Sequence, residues 1–138
     1  AMAACFCLGA EGAQIGSRFV ASEESSAHLA FKQAVVDAKE GDTQLTLKEL
    51  TPVRLMKNEF FQQIQEAYQR CASPEELKEI LGRARAKKGM FEGDMQEGEL
   101  EIGQVSGGIH TIQPAAEIVA EIWADFKQTV KTAQQSIV

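Results

Sequence analysis

The chain has 138 residues, 44% of them hydrophobic and 25% charged, with a formal net charge of −6 and a pI near 5.0. That size suits one domain with a modest core, and the acidic balance speaks against nucleic acid as the main partner, because phosphate backbones reward basic surfaces. No apolar run approaches the ~20 residues of a membrane span, and three cysteines, an odd number, fit a reducing cytoplasm better than a disulfide framework.

The opening AMAACFCLGA lacks the basic flank of a signal peptide. Residues 1–8 read as the last turns of a helix ended by Gly9, with no capping residue before them, which predicts a piece whose upstream part is missing. Residues 13–20 then predict a short strand carrying Ile15, Phe19 and Val20. Ser22 is placed to cap a helix whose stripe is Ala27, Ala30, Phe31, Ala34, Val35 and Ala38, with Gly41 closing it. Residues 43–48 alternate, Leu45 and Leu47 on one side, as a half-exposed strand does.

Asn58 suits the cap of a helix burying Phe60, Phe61, Ile64, Ala67 and Tyr68. Ser73-Pro74-Glu75-Glu76 is a capping box with proline at the first helical position, followed by an apolar stripe of Leu77, Ile80, Leu81 and Ala84. GMFEGDMQEG, residues 89–98, reads as a loop, and residues 100–105 as extended. Pro114 opens a last helix with Ala115, Ile118, Val119, Ile122, Phe126 and Val130 toward a core. The pattern is helix-rich α/β with two or three short strands.

Chemistry concentrates in few places. LGAEGAQIGSRFVASEES packs its glycines, a glutamine and a serine ahead of a helix, and Gly16 and Ser17 stand just past the expected strand, where α/β proteins bind ligands. Their amides and the serine hydroxyl suit an anion; a plain tight turn is the bland alternative. His28 and His110 lack a second ligand at metal spacing, so no metal is expected. Cys5 and Cys7 read as small buried hydrophobes. Arg83, Arg85, Lys87 and Lys88 read as a solvated helix end, with docking of an acidic partner as the functional alternative. Glu99 and Glu101 alternate along an exposed-looking strand, and Gly103-Gln104 could set an amide beside a flat polar ring.

LGAEGAQIGSRF, SEESSAHLAFKQAVVDAKEGDT and GQVSGGI…QPAAEIV resemble, in that order, the C-terminal half of the nitronate monooxygenase (2-nitropropane dioxygenase) and enoyl-acyl-carrier-protein reductase II family. The resemblance runs along nearly the whole chain. It implies a fragment of an FMN-dependent (β/α)8 barrel: residues 1–50 as the last βα unit with the FMN-phosphate loop, and residues 51–138 as a helical extension packing back on the barrel. It carries the phosphate-holding Gly-Ser pair onto Gly16 and Ser17, a neighbouring polar residue onto Gln14, and the loop near flavin and substrate onto Gly103 and Gln104.

A whole (β/α)8 barrel takes about 250 residues, and the Gly-Gly-His motif that supplies the family's catalytic histidine is absent from this chain. The expectation is therefore the C-terminal part of a cytoplasmic oxidoreductase, inactive by itself, that oxidises alkyl nitronates with O₂. Reduction of a carbon–carbon double bond with NAD(P)H is the alternative within the family. A non-enzymatic helical interaction module is the alternative from another class. The expected partners are the flavin and a small-molecule or acyl substrate, with no nucleic acid or membrane, and a homo-oligomer.

Overall fold

Ten short elements follow one another along residues 1–136, the part of the chain that the computed structural model describes. Helix α1 (Met2–Cys7) stops where Gly9 turns the chain at φ +94°, a conformation that only glycine takes without strain. Residues 13–16 then form no strand, and residues 17–20 coil into one helical turn, α2 (Ser17–Val20). The expected strand fails for a tertiary reason. Among the described residues no neighbouring strand meets this segment, and none of the amides from Gly12 to Arg18 finds a protein acceptor.

Helix α3 (Leu29–Asp37) buries Phe31 and Val35, with Ala38 beside them, as the periodicity requires. Its ends differ from expectation. His28 is the cap, its Nδ1 accepting from the Ala30 amide at 3.1 Å. Ser22 instead donates its hydroxyl to the Phe19 carbonyl, and Gly41 turns the chain after the helix has already ended at Ala38. Buried Lys32 holds the loop in front of the helix by donating to the Ser22 and Glu23 carbonyls at 2.7 and 3.0 Å.

Strands β1 (Thr43–Thr46) and β2 (Val53–Met56) form an antiparallel hairpin in the register Thr43↔Met56 to Thr46↔Val53. Leu45 and Leu47 do not share a face. Leu47 adopts φ +53°, which ends the strand at Thr46 and swings its own side chain inward, while Leu45 stays 41% exposed. β2 went unread in the sequence. It is the wall between two cores, with Leu55 facing one and Met56 the other. Its far edge pairs with residues 100–102: Met56 donates to the Leu100 carbonyl at 3.0 Å and Ile102 to the Arg54 carbonyl at 3.1 Å.

The second core is Leu47, Leu55, Phe60, Phe61, Ile64 and Leu77 with their neighbours, closed by α4 (Glu59–Gln69) and α5 (Pro74–Leu81). Both helices start as their sequence dictates. Asn58 Oδ1 accepts from the Phe61 amide, and Ser73 and Glu76 exchange both bonds of the capping box. Ala84 falls outside the stripe, because α5 ends at Leu81 and Gly82 reverses the chain. A π-helical turn (Lys87–Phe91) opens the expected loop, and a 3₁₀ turn (Gln104–Gly108) follows the paired residues 100–102.

Helix α6 (Ala115–Gln135) begins at Pro114, and Glu24 reaches across the chain to accept from the Ala115 amide at 2.8 Å. Its expected inward face is only partly covered. Ile118 is fully buried, yet Val119 is 56% exposed; Phe126 stacks on Trp123, a residue outside that face and 50% exposed, and meets the Phe6 ring at a tilt of 54°. Cys5 and Cys7, expected to be buried, are exposed on α1, and Cys71, between α4 and α5, is exposed too. No helix among the described residues is long and apolar enough to cross a membrane.

Candidate functional site

The chain brings two of its singled-out segments together across 86 residues. Ser17, first residue of α2, accepts a hydrogen bond at Oγ from the Gly103 amide at 3.0 Å. Gly16 stands immediately before it as the helix cap, with no atom within 4 Å of where a Cβ would lie. Two clefts meet at this pair. One, of about 380 Å³, opens between α1, α6 and the loop, with Gln14, Gly16, Ser17, Arg18 and Val105 among its lining residues. The other, of about 410 Å³, runs from Gly16 and Ser17 past Arg54 to Glu101 and Gly103.

The polar chemistry at the junction suits an anion. The amides of Ser17 and Arg18 sit in the first turn of α2, where no intrahelical carbonyl can reach them, and no other described residue accepts from them. Ser17 spends an acceptor lone pair on Gly103 and keeps its own proton to donate. Arg18 adds a positive charge with no carboxylate partner among the described residues: its guanidinium is held by the Thr111 carbonyl and hydroxyl at 3.1 and 3.3 Å and by Gln113 Oε1 at 2.7 Å, all neutral. Asp125 also lines the first cleft. A phosphate fits this set of donors, and exposed Gln14, which lines the first cleft, can lend an amide, whereas Gln104 is exposed and lines neither cleft.

Other candidates resolve differently. Glu99 is not on an exposed strand but buried, its backbone amide bonded to the Arg85 carbonyl. Burial, and then the negative charge of Glu101, push its carboxyl up to about 7 against the pull of Arg85. The basic cluster is not a uniform solvated face either. Arg85 donates to the Ile80, Leu81 and Glu97 carbonyls and lies 4.5 Å over the Phe60 ring. Lys87 and Lys88 pair with Glu92 and Asp94 at 3.1 and 2.9 Å, and the Lys88 bond holds the Asp94 carboxyl down at about 2. His110 is exposed, and no group of three or more His, Cys, Asp or Glu among the described residues is placed to hold a metal.

Sequence reasoning missed Arg18, Thr111 and Gln113. Their tie spans more than 90 residues, so no local spacing announces it.

The family model for nitronate monooxygenase matches residues 1–125. The chain belongs to the nitronate monooxygenase family. A probable nitronate monooxygenase of Staphylococcus saprophyticus is 31% identical over 136 residues, 97% of this chain and 36% of that protein. A probable nitronate monooxygenase of Bacillus subtilis is 51% identical over 43 residues, 31% of this chain and 12% of that one. Among solved structures, FabK from Thermotoga maritima superposes with a TM-score of 0.87 at 36% identity, over 96% of this chain and 42% of that one. Its M276A mutant superposes with a TM-score of 0.82 at 36% identity, over 97% and 40%. This family member therefore spans about two fifths of the length of the structures it matches, and its helix-rich fold is part of a TIM barrel.

Proposed function

We propose that this chain forms part of an FMN-dependent oxidoreductase that oxidises alkyl nitronates with O₂. The observation that carries the reading is the junction at Gly16 and Ser17. Free amides and the Ser17 hydroxyl meet there beside two clefts, and Arg18, next in the chain, has no carboxylate partner among the described residues. Gly16, Ser17 and Arg18 would hold the FMN phosphate, with Gln14 beside them, and Gly103 and Gln104 would face the substrate side. Bound FMN would supply the electron transfer of the oxidation. The chain's own contribution is to anchor the phosphate and fix the cofactor's position relative to the 103–108 loop. A second reading, reduction of an enoyl thioester with NAD(P)H, draws on the likeness to FabK; turnover of a nitronate against an enoyl thioester by the intact protein separates the two.

The site itself is tested through Ser17 and Gly16. Ser17→Asp sets a carboxylate against the phosphate. Two unit charges ~4 Å apart at an effective dielectric near 20 repel by about 4 kcal/mol, roughly a thousandfold in affinity. Ser17→Thr keeps hydroxyl and amide and should bind FMN as the parent does. Gly16→Val should fold normally, since nothing in the protein occupies the space its side chain needs, yet lose FMN. Fluorescence titration of the apo-protein decides. Parent-like affinity in Ser17→Asp would reduce the pair to a simple turn.

A further inference from the structure

We infer that Ser17 is a positioning residue which couples the cofactor end of the site to the 103–108 loop on the substrate side. The inference rests on the FMN reading above and extends it.

The geometry is specific. Ser17 Oγ accepts from the Gly103 amide at 3.0 Å in a partly buried setting. A Cβ on residue 103 would come within 2.6 Å of that oxygen, so any larger residue there would push the Ser17 hydroxyl out of its present place. Gly103 is also the cap of the 3₁₀ turn: its carbonyl accepts from the Ser106 amide at 3.0 Å. Holding Gly103 therefore holds the turn. The turn is seated on α3, where Ser106 and Ile109 are buried and Gly107 lies against the backbone of Lys39 and Glu40.

A serine hydroxyl has one proton and two lone pairs. Here a lone pair is committed to Gly103, and the proton has no protein acceptor among the described residues. An anion at Gly16 and Ser17 would take that proton. Donating it makes the oxygen a better acceptor, because hydrogen bonds in a chain polarise one another. Phosphate binding then tightens the grip on Gly103 and orders Gln104 beside it. Because the coupling is an equilibrium property, a ligand that orders the 103–108 loop must tighten FMN in return.

Hydrogen exchange of the Gly103 amide in the intact protein, with and without FMN, tests this. In the apo-protein, Ser17→Ala should speed Gly103 exchange about fivefold, the loss of one hydrogen bond, while amides of α4 stay unchanged and report an intact fold. Ser17→Thr should restore the parent rate. FMN should slow Gly103 exchange in the parent and in Ser17→Thr, but no more in Ser17→Ala than at a distant loop. Unchanged Gly103 exchange in apo Ser17→Ala would overturn the positioning role. FMN binding to the parent without slowing Gly103 would overturn the coupling and leave the cofactor reading standing. A parent that binds no FMN would overturn the cofactor reading and the coupling together, while the apo measurement would still decide the contact itself.

Discussion

The hairpin with α4 and α5 and the region of α1, α2 and α6 are built from similar residues and end up very differently. Around β2 the apolar side chains are sealed: Phe60, Ile64 and Leu55 are fully buried, and Leu47 and Leu77 nearly so. Around α6 they are not, for Trp123, Val119 and Ile15 are 50%, 56% and 37% exposed, and an apolar cleft separates α6 from residues 13–19. A matching helical stripe is thus necessary for a core but not sufficient. The first region closes on itself, because its hairpin, its two capped helices and residues 99–102 are all present to cover one another. The second contains the candidate site and leaves apolar surface and the amides of residues 12–18 open.

The largest expected effect tests that contrast directly. Phe60→Ala removes a fully buried ring that also carries the Arg85 guanidinium, and should cost about 3–5 kcal/mol. Trp123→Ala on the open side should cost about 1 kcal/mol or less, since half its surface already meets solvent and its main loss is the stack on Phe126. Urea unfolding of both variants checks the ratio. Equal losses would mean that α6 is as firmly packed as α4.

A pH titration sharpens the view of the strip that joins the two cores. Glu99 is raised from its ordinary 4.5 to about 7 by burial and by Glu101. Between those values the folded chain binds more protons than the unfolded one, so this group makes stability fall as pH rises from about 4.5 to about 7 and contributes no slope outside that window. The full cost above pH 7 is on the order of 1–3 kcal/mol. Glu99→Gln should flatten that slope in denaturant unfolding measured across the window. Asp94 works lower and with the opposite sign: its stabilisation is present above its unfolded value of 3.8 and is lost as pH falls toward about 2, so the two windows do not overlap.

A further small effect lies at the edge of the closed region. Ser73→Ala breaks the capping box of α5 and should cost about 1 kcal/mol. Ser73→Asn should retain most of the cap. Equal losses in the two would show that the start of α5 is held by Leu77 in the core rather than by its own first turn.

By itself, the sequence determined the features whose causes are local. The caps at Asn58 and Ser73, the buried faces of α3 and α4, the turn at Gly9 and the start of α6 at Pro114 follow from a few neighbouring residues. The motif around Gly16 and Ser17 also resembled its family from the sequence. Tertiary structure decided what depends on distant partners. Residues 13–16 alternate acceptably for a strand, but strandedness needs an adjacent strand. Glu99 looks like any surface acid until residues 85 and 101 close around it. Leu45 and Leu47 part company because one left-handed residue ends β1, and His28, not Ser22, caps α3. The Ser17–Gly103 contact belongs to the same class. Periodicity and capping are read within a few residues, whereas a hydrogen bond between residues 86 apart exists only once the chain has folded.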